Sequence, residues 1–194
     1  FAYCTDLEHI EIPSKINYIG DEAFEFCSSL TQFSIPAGIT KICKYTFSNC
    51  KKLKDLQIPT TINIIEKYAF YNCESLETLE LPSDLYIIGD CAFLNCNGLK
   101  SVHIPSSVKI IGERAFENCQ NADIIVHNNE ENIVIANAAF SKCNSVTFVG
   151  RNQNDLTKIV DEFETPLEFN FENFEAKIAK QNTKLNSIYI PGKV

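Results

Sequence analysis

The chain has 194 residues, 45% of them hydrophobic and 22% charged, with 25 acidic against 17 basic residues and a formal net charge of −8. That make-up suits a globular protein with a sizeable core and excludes a disordered tail or a collagenous fibre. A pI near 4.9 is the wrong sign for a phosphate-neutralising surface, and no run nears the roughly 18 apolar residues of a spanning helix, so neither nucleic acid nor membrane insertion is expected of this segment.

Taken in chain order, the sequence repeats with a period of 23. Phe1, Phe24, Phe47, Phe70, Phe93 and Phe116 are spaced by 23, and Phe140 follows after 24. Cys4, Cys27, Cys50, Cys73, Cys96, Cys119 and Cys143 each come three residues after a Phe. Leu7, Leu30, Leu53, Leu76 and Leu99 form a third column, with Ala122 and Val146 as weaker members. Ile12-Pro13, Ile35-Pro36, Ile58-Pro59, Leu81-Pro82 and Ile104-Pro105 form a fourth, and Ile19, Ile42, Ile65, Ile88 and Ile111 a fifth. One coil cannot bury such residues alone, so the pattern predicts stacked coils with a shared interior.

Within the unit, Leu7 to Ile12 ends in apolar–polar alternation, the period of a strand with one face inward. Pro13 ends it, because proline has no N–H for a ladder, so each strand must be short and the stack should form a narrow parallel sheet. The remainder, with Ile16, Ile19, Ala23, Phe24 and Cys27, has three-residue spacing, which predicts extended pieces plus a tight helical turn. Position 20 of the unit holds Gly20, Gly89 and Gly112 but also Cys43 and Glu66. Those replacements predict glycine chosen for close approach rather than for a positive φ.

These motifs resemble the BspA-like leucine-rich repeats, whose unit reads LxxIxIPxxVxxIGxxAFxxC. The resemblance is carried by Leu99 to Pro105, Val108 to Gly112 and Ala115 to Cys119, spans residues 1 to about 150, and resumes from Leu185 to Pro191. It implies an α/β solenoid: a right-handed superhelix with a short parallel β-sheet on the concave face and an irregular, partly short-helical convex side. It also implies a surface protein of the kind that binds host matrix proteins or other cells.

The rhythm loosens between Ala122 and Val149, and Val146 to Leu185 exceeds one period. In that interval Phe169 to Lys180 places apolar residues at three- and four-residue intervals, predicting a short amphipathic helix. The expected organisation is therefore repeats over 1–150, a degenerate, partly helical coil with an insertion over 151–184, and the start of a further, truncated repeat over 185–194. Phe1 begins mid-unit and Val194 lies three residues past Pro191, so the chain reads as a slice of a longer array.

Seven of the nine cysteines occupy one inward column, and Cys43 and Cys91 lie off it. Coils about 4.8 Å apart would place stacked thiols within disulfide range. Their equivalent contexts nevertheless read as buried free thiols, with disulfides or a metal as the alternatives. No CxxC pair, phosphate-binding glycine loop, HExxH or GxSxG is present, so the expectation is no enzyme, no metal and no cofactor. His9 and His103, roughly 19 Å apart at about 4.8 Å per coil, cannot share a metal. His127, in the loosened coil, reads as solvated or satisfied. The acidic pairs Glu130-Glu131 and Asp161-Glu162 read as solvated charge.

What remains is the polar face of the sheet. His9, Glu11, Gln32, Ser34, Asp55, Gln57, Thr78, Glu80, Ser101 and His103 should form two rows on a continuous strip. The strip is either a binding surface for a protein ligand or the solvated half of a half-buried sheet; it contains no aromatic residue and no Arg, the types enriched at binding hot spots. Two functions follow: a protein-binding module of an adhesin or surface antigen, or a structural repeat spacer in a larger surface or intracellular protein. Localisation divides likewise between cell surface or secreted, which the resemblance implies, and cytoplasmic. None of the 19 Asn residues begins an Asn-x-Ser/Thr acceptor site, which weighs against a glycosylated secreted protein.

Overall fold

The structure, a computed structural model, describes residues 1–128 and 133–150, together with four short strand segments beyond them. The 23-residue units are coils of a parallel β-solenoid. Along one side of the stack lie β1 (Gln32–Ser34), β3 (Asp55–Gln57), β5 (Thr78–Leu79), β7 (Ser101–Ile104), β9 (Asp123–Asn128) and β11 (Ser145–Gly150), in two sheets divided between β3 and β5. β1 and β3 pair with each other, and β5 through β11 pair in sequence with β15 (Ser187–Tyr189) beyond β11. Each of these pairings is parallel, in registers such as Phe33 with Leu56 and Leu79 with Val102.

A further parallel sheet, absent from the sequence reading, follows the Ile42 column. It contains β2 (Lys41–Ile42), β4 (Ile64–Ile65), β6 (Ile87–Ile88), β8 (Ile110–Ile111), β10 (Ile133–Ile135) and β12 (Ile159–Val160) in that order. The expected strand at Leu7–Ile12 is not part of any of these sheets, although Thr31 N–H still reaches Glu8 C=O at 3.2 Å.

The expected helical turn, and with it the α/β class, is not found: no helix occurs among the described residues. The segment around each Phe from Phe24 to Phe140 instead places two left-handed residues four apart, one on each side of the ring. In the fourth coil Tyr68 and Asn72, two residues either side of Phe70, both have φ of 57°. N–H groups then alternate in destination. Those of Tyr68, Phe70 and Asn72 donate to Asp90, Ala92 and Leu94 of the next coil, at 3.0, 2.8 and 2.9 Å. Those of Ala69, Tyr71 and Cys73 donate three residues back within their own coil. A positive φ at the third position of such a four-residue turn is the type II geometry, and Asn tolerates it better than most residues. A helix would send every N–H along its own axis; this arrangement uses half of them to stitch coils together.

The interior confirms the columns. Phe47, Phe70, Phe93, Phe116 and Phe140 are all buried to within 1%. Their rings stack parallel, with centroids 5.4 Å apart for Phe47–Phe70 and 5.1 Å for Phe70–Phe93. Each such ring contributes on the order of 1.5–3 kcal/mol by burial. At unit position 20, Gly89 and Gly112 serve closeness, since no glycine among the described residues has a positive φ and a Cβ would lie 2.7 Å from the Lys67 nitrogen and 2.4 Å from the Asp90 nitrogen, respectively.

The loosened coils differ in a definite way. β9 and β11 run for 6 residues each, against 3 in β1 and β3, because no proline interrupts them. Val146 pairs with Ile124 and, through it, Val102, so it belongs to the strand-centre column and not, as expected, to the leucine column. Its strand starts at Ser145, two residues after Cys143, whereas Ser101 comes five after Cys96; the intervening leucine turn has been deleted. Where a helix was expected over 169–180, β13 (Phe169–Asn170) pairs antiparallel with β14 (Glu175–Ala176). The other residues of 151–184, Asp161 and Glu162 included, lie outside the described residues, as do Glu130 and Glu131.

Candidate functional site

Strand alternation decides what faces outward. In β1, Phe33 is buried while Gln32 and Ser34 are exposed, and β5 and β7 repeat the choice at Leu79 and Val102, with Leu56 half-buried in β3. All ten expected strip residues are exposed. In-register pairing of Gln32 with Asp55, Ser34 with Gln57 and Thr78 with Ser101 aligns them into rows. Neighbours in a row interact: Gln32 Nε2 lies 3.1 Å from His9 Nδ1, and Ser34 Oγ donates to Gln57 Oε1 at 3.2 Å. His9 Nε2 also lies 3.8 Å from Glu11. A groove of about 800 Å³ runs over this part of the strip, its apolar floor including Ile12 and Ile58.

The rows continue beyond the expected ten. The register carries Ser101 to Asp123 and on to Ser145, and His103 to Ile125 and on to Thr147. Asp123 is anchored there by Asn144 Nδ2 at 2.7 Å and by the Ser145 hydroxyl. These members were hidden because the offset between coils drops from 23 to 22 at this point. Along both rows stand four carboxylates, of Glu11, Asp55, Glu80 and Asp123, with no Lys or Arg.

His127, which the sequence left isolated, faces His103. The ring nitrogens His103 Nδ1 and His127 Nε2 are 3.3 Å apart, with ring centroids at 5.6 Å and planes 19° apart. Burial and the neighbouring His103 both push the His127 pKa down.

The inward cysteines are hydrogen-bonded rather than poised to react. All nine are free thiols, and all but Cys4 are buried. Each inward thiol from Cys27 to Cys143 donates to the carbonyl of the Phe one coil back, as Cys73 does to Phe47 and Cys96 to Phe70 at 3.2 and 3.1 Å. Burial raises the pKa of Cys73, Cys96 and Cys119 and keeps the thiols protonated. Beside this column runs an amide ladder that sequence reasoning missed: Asn72, Asn95 and Asn118 each donate to the Asn one coil back, all at 2.8 Å.

Off the column, Cys43 lies near the carboxylates of Asp21 and Glu66. Both carboxylates are engaged, Glu66 by the Lys41 ammonium at 3.0 Å and Asp21 by the Lys44 N–H at 3.2 Å. Aromatic and cationic groups gather on the turn side instead of the strip. Tyr45 and Tyr68 stack at 4.9 Å and the Lys67 ammonium sits 5.2 Å over the Tyr68 ring.

Similarity to other proteins agrees with the coil geometry. The BspA type leucine rich repeat region matches in 6 copies over residues 1–123 and 63–163. The chain is similar to the leucine rich repeat protein of T. pallidum, with 29% identity, a TM-score of 0.60, and coverage of 72% of this chain and 71% of that one. A leucine-rich repeat protein from Bacteroides ovatus shares the fold at 22% identity and a TM-score of 0.64. That alignment takes in 98% of this chain but 62% of the B. ovatus chain, so the present sequence spans less than two thirds of that relative. No curated protein sequence matches. With its stacked Phe, Cys and Leu columns and six matching repeats, the chain belongs to the BspA-type leucine-rich repeat family.

Proposed function

We propose that this chain is a non-enzymatic protein-interaction module that takes a protein ligand on the outward strip, as part of an adhesin or antigen at the cell surface. The observation that carries the reading is the pair of exposed rows over an open groove, with four carboxylates and no Lys or Arg among them. Such a face attracts a partner that presents Lys or Arg, and it raises the encounter rate more than the final affinity. The membership of a repeat family suited to extended recognition supports the same reading.

The test is binding of candidate matrix and cell-surface proteins, in parallel with the variant Glu11→Gln, Asp55→Asn, Glu80→Gln. Neutralising the three charges should weaken binding at least about tenfold and flatten its salt dependence. Binding unchanged by these substitutions would make the array a structural spacer that sets length while another surface, such as the Tyr45–Tyr68 stack, makes contact.

A further inference from the structure

We propose that His103 and His127 form a binding site for a late first-row divalent cation of the zinc class. Both residues are carried on paired strands, His103 on β7 and His127 on β9, with His103 in register with Ile125 and His127 two residues further on. Alternation puts positions 125 and 127 on the same face. The two imidazoles are thus brought together by the ladder, not by chance contact of mobile chains.

The separation fits the ligand. Two nitrogens bound at about 2.0–2.1 Å to one tetrahedral zinc ion lie about 3.3–3.4 Å apart, and His103 Nδ1 and His127 Nε2 are 3.3 Å apart. A small rotation of each ring turns both lone pairs from the line between the nitrogens toward a common point beside it. Two neutral rings then lose no proton overall, because the bridging N–H is exchanged through water for one on the outer nitrogen of the same ring. Imidazole nitrogen selects zinc, nickel or copper over magnesium, which prefers oxygen. Two protein ligands leave the remaining positions to water. The lowered pKa of His127 favours its neutral, ligating form.

The cluster of Asp21, Cys43 and Glu66 is the competing site, but Lys41 already supplies the positive charge its Glu66 needs. The histidine site stands whether or not the strip takes a protein.

Zinc and magnesium titrations of the intact protein by calorimetry test the proposal. One zinc per chain is expected, with no magnesium uptake. Either His103→Gln or His127→Gln should weaken zinc binding by more than about tenfold, the loss seen when even an outer partner of a metal ligand is removed. Asp21→Asn and Cys43→Ser should leave it unchanged. In the unaltered protein, zinc should protect both rings from ethoxyformylation by diethyl pyrocarbonate, a readout that needs no variant to fold. Zinc uptake that survives both histidine changes, uptake lost in Cys43→Ser instead, or rings modified equally with and without zinc would overturn the assignment.

Discussion

The turn side and the strip obey opposite rules within the same 23-residue unit. On the turn side Phe, Cys and Asn recur nearly unchanged, because each side chain is held by its counterpart in the adjacent coil through ring stacking, a thiol-to-carbonyl bond or an amide-to-amide bond. On the strip the same unit position holds His9, Gln32, Asp55, Thr78, Ser101 and Asp123 in turn, because an outward side chain has only water and a lateral neighbour to satisfy. Repetition therefore marks where coils bind each other, and variation marks where they do not.

The largest test of this contrast is collective. Cys50, Cys73, Cys96, Cys119 and Cys143 all have pKa values raised by burial above the ordinary 9.0. Between the unfolded and the raised folded value the native state holds more protons, so this stability is present below pH 9 and is lost as pH climbs. Each thiol forfeits about 1.4 kcal/mol for every pH unit past the unfolded value. The urea midpoint should accordingly fall steeply from about pH 9 to about pH 11, and a flat profile would mean the thiols are not sealed in.

Removing one ring comes next. Phe70→Ala should cost about 3–5 kcal/mol in chemical denaturation, from lost burial and the cavity left between Phe47 and Phe93; a loss below about 1 kcal/mol would break the stacked-core picture.

A smaller effect should distinguish two copies of one glycine position. Gly112→Ala should cost about 1–3 kcal/mol, since its Cβ would meet the Asp90 backbone. Gly20→Ala, whose nearest obstacle is the Tyr18 side chain at 3.5 Å, should stay within about 0.5 kcal/mol. Smallest of all, Glu80→Ala on the strip should shift thermal stability by less than about 0.5 kcal/mol.

The repeat family, the inward columns and the ten exposed strip residues were legible in the sequence because a fixed spacing and a two-residue alternation have one stacked solution. The turn conformation was not. The spacing of Ile16, Ile19 and Ala23 is shared by a helical turn and by a run of tight turns with left-handed residues four apart. The signal that separates them was the Asn two residues after Phe at Asn49, Asn72, Asn95 and Asn118, all with positive φ. The sheet along the Ile42 column was equally hidden, since two-residue strands such as Ile64–Ile65 carry no alternation to read. The meeting of His103 and His127 escaped because their offset of 24 falls off the period.

The bonds at each turn-side junction are the same at the next one, and this has a consequence for how such a gene can change. Excising residues 51–73 would join Cys50 to Glu74 and leave Phe47 facing Phe93 with Asn49 facing Asn95, so the severed ring, thiol and amide columns meet equivalents, although Tyr45 would lose Tyr68 and Lys41 would lose Glu66. The inward columns can thus lengthen or shorten by whole coils without inventing a contact. Beyond Asp123, where the stagger changes to 22, that interchangeability stops.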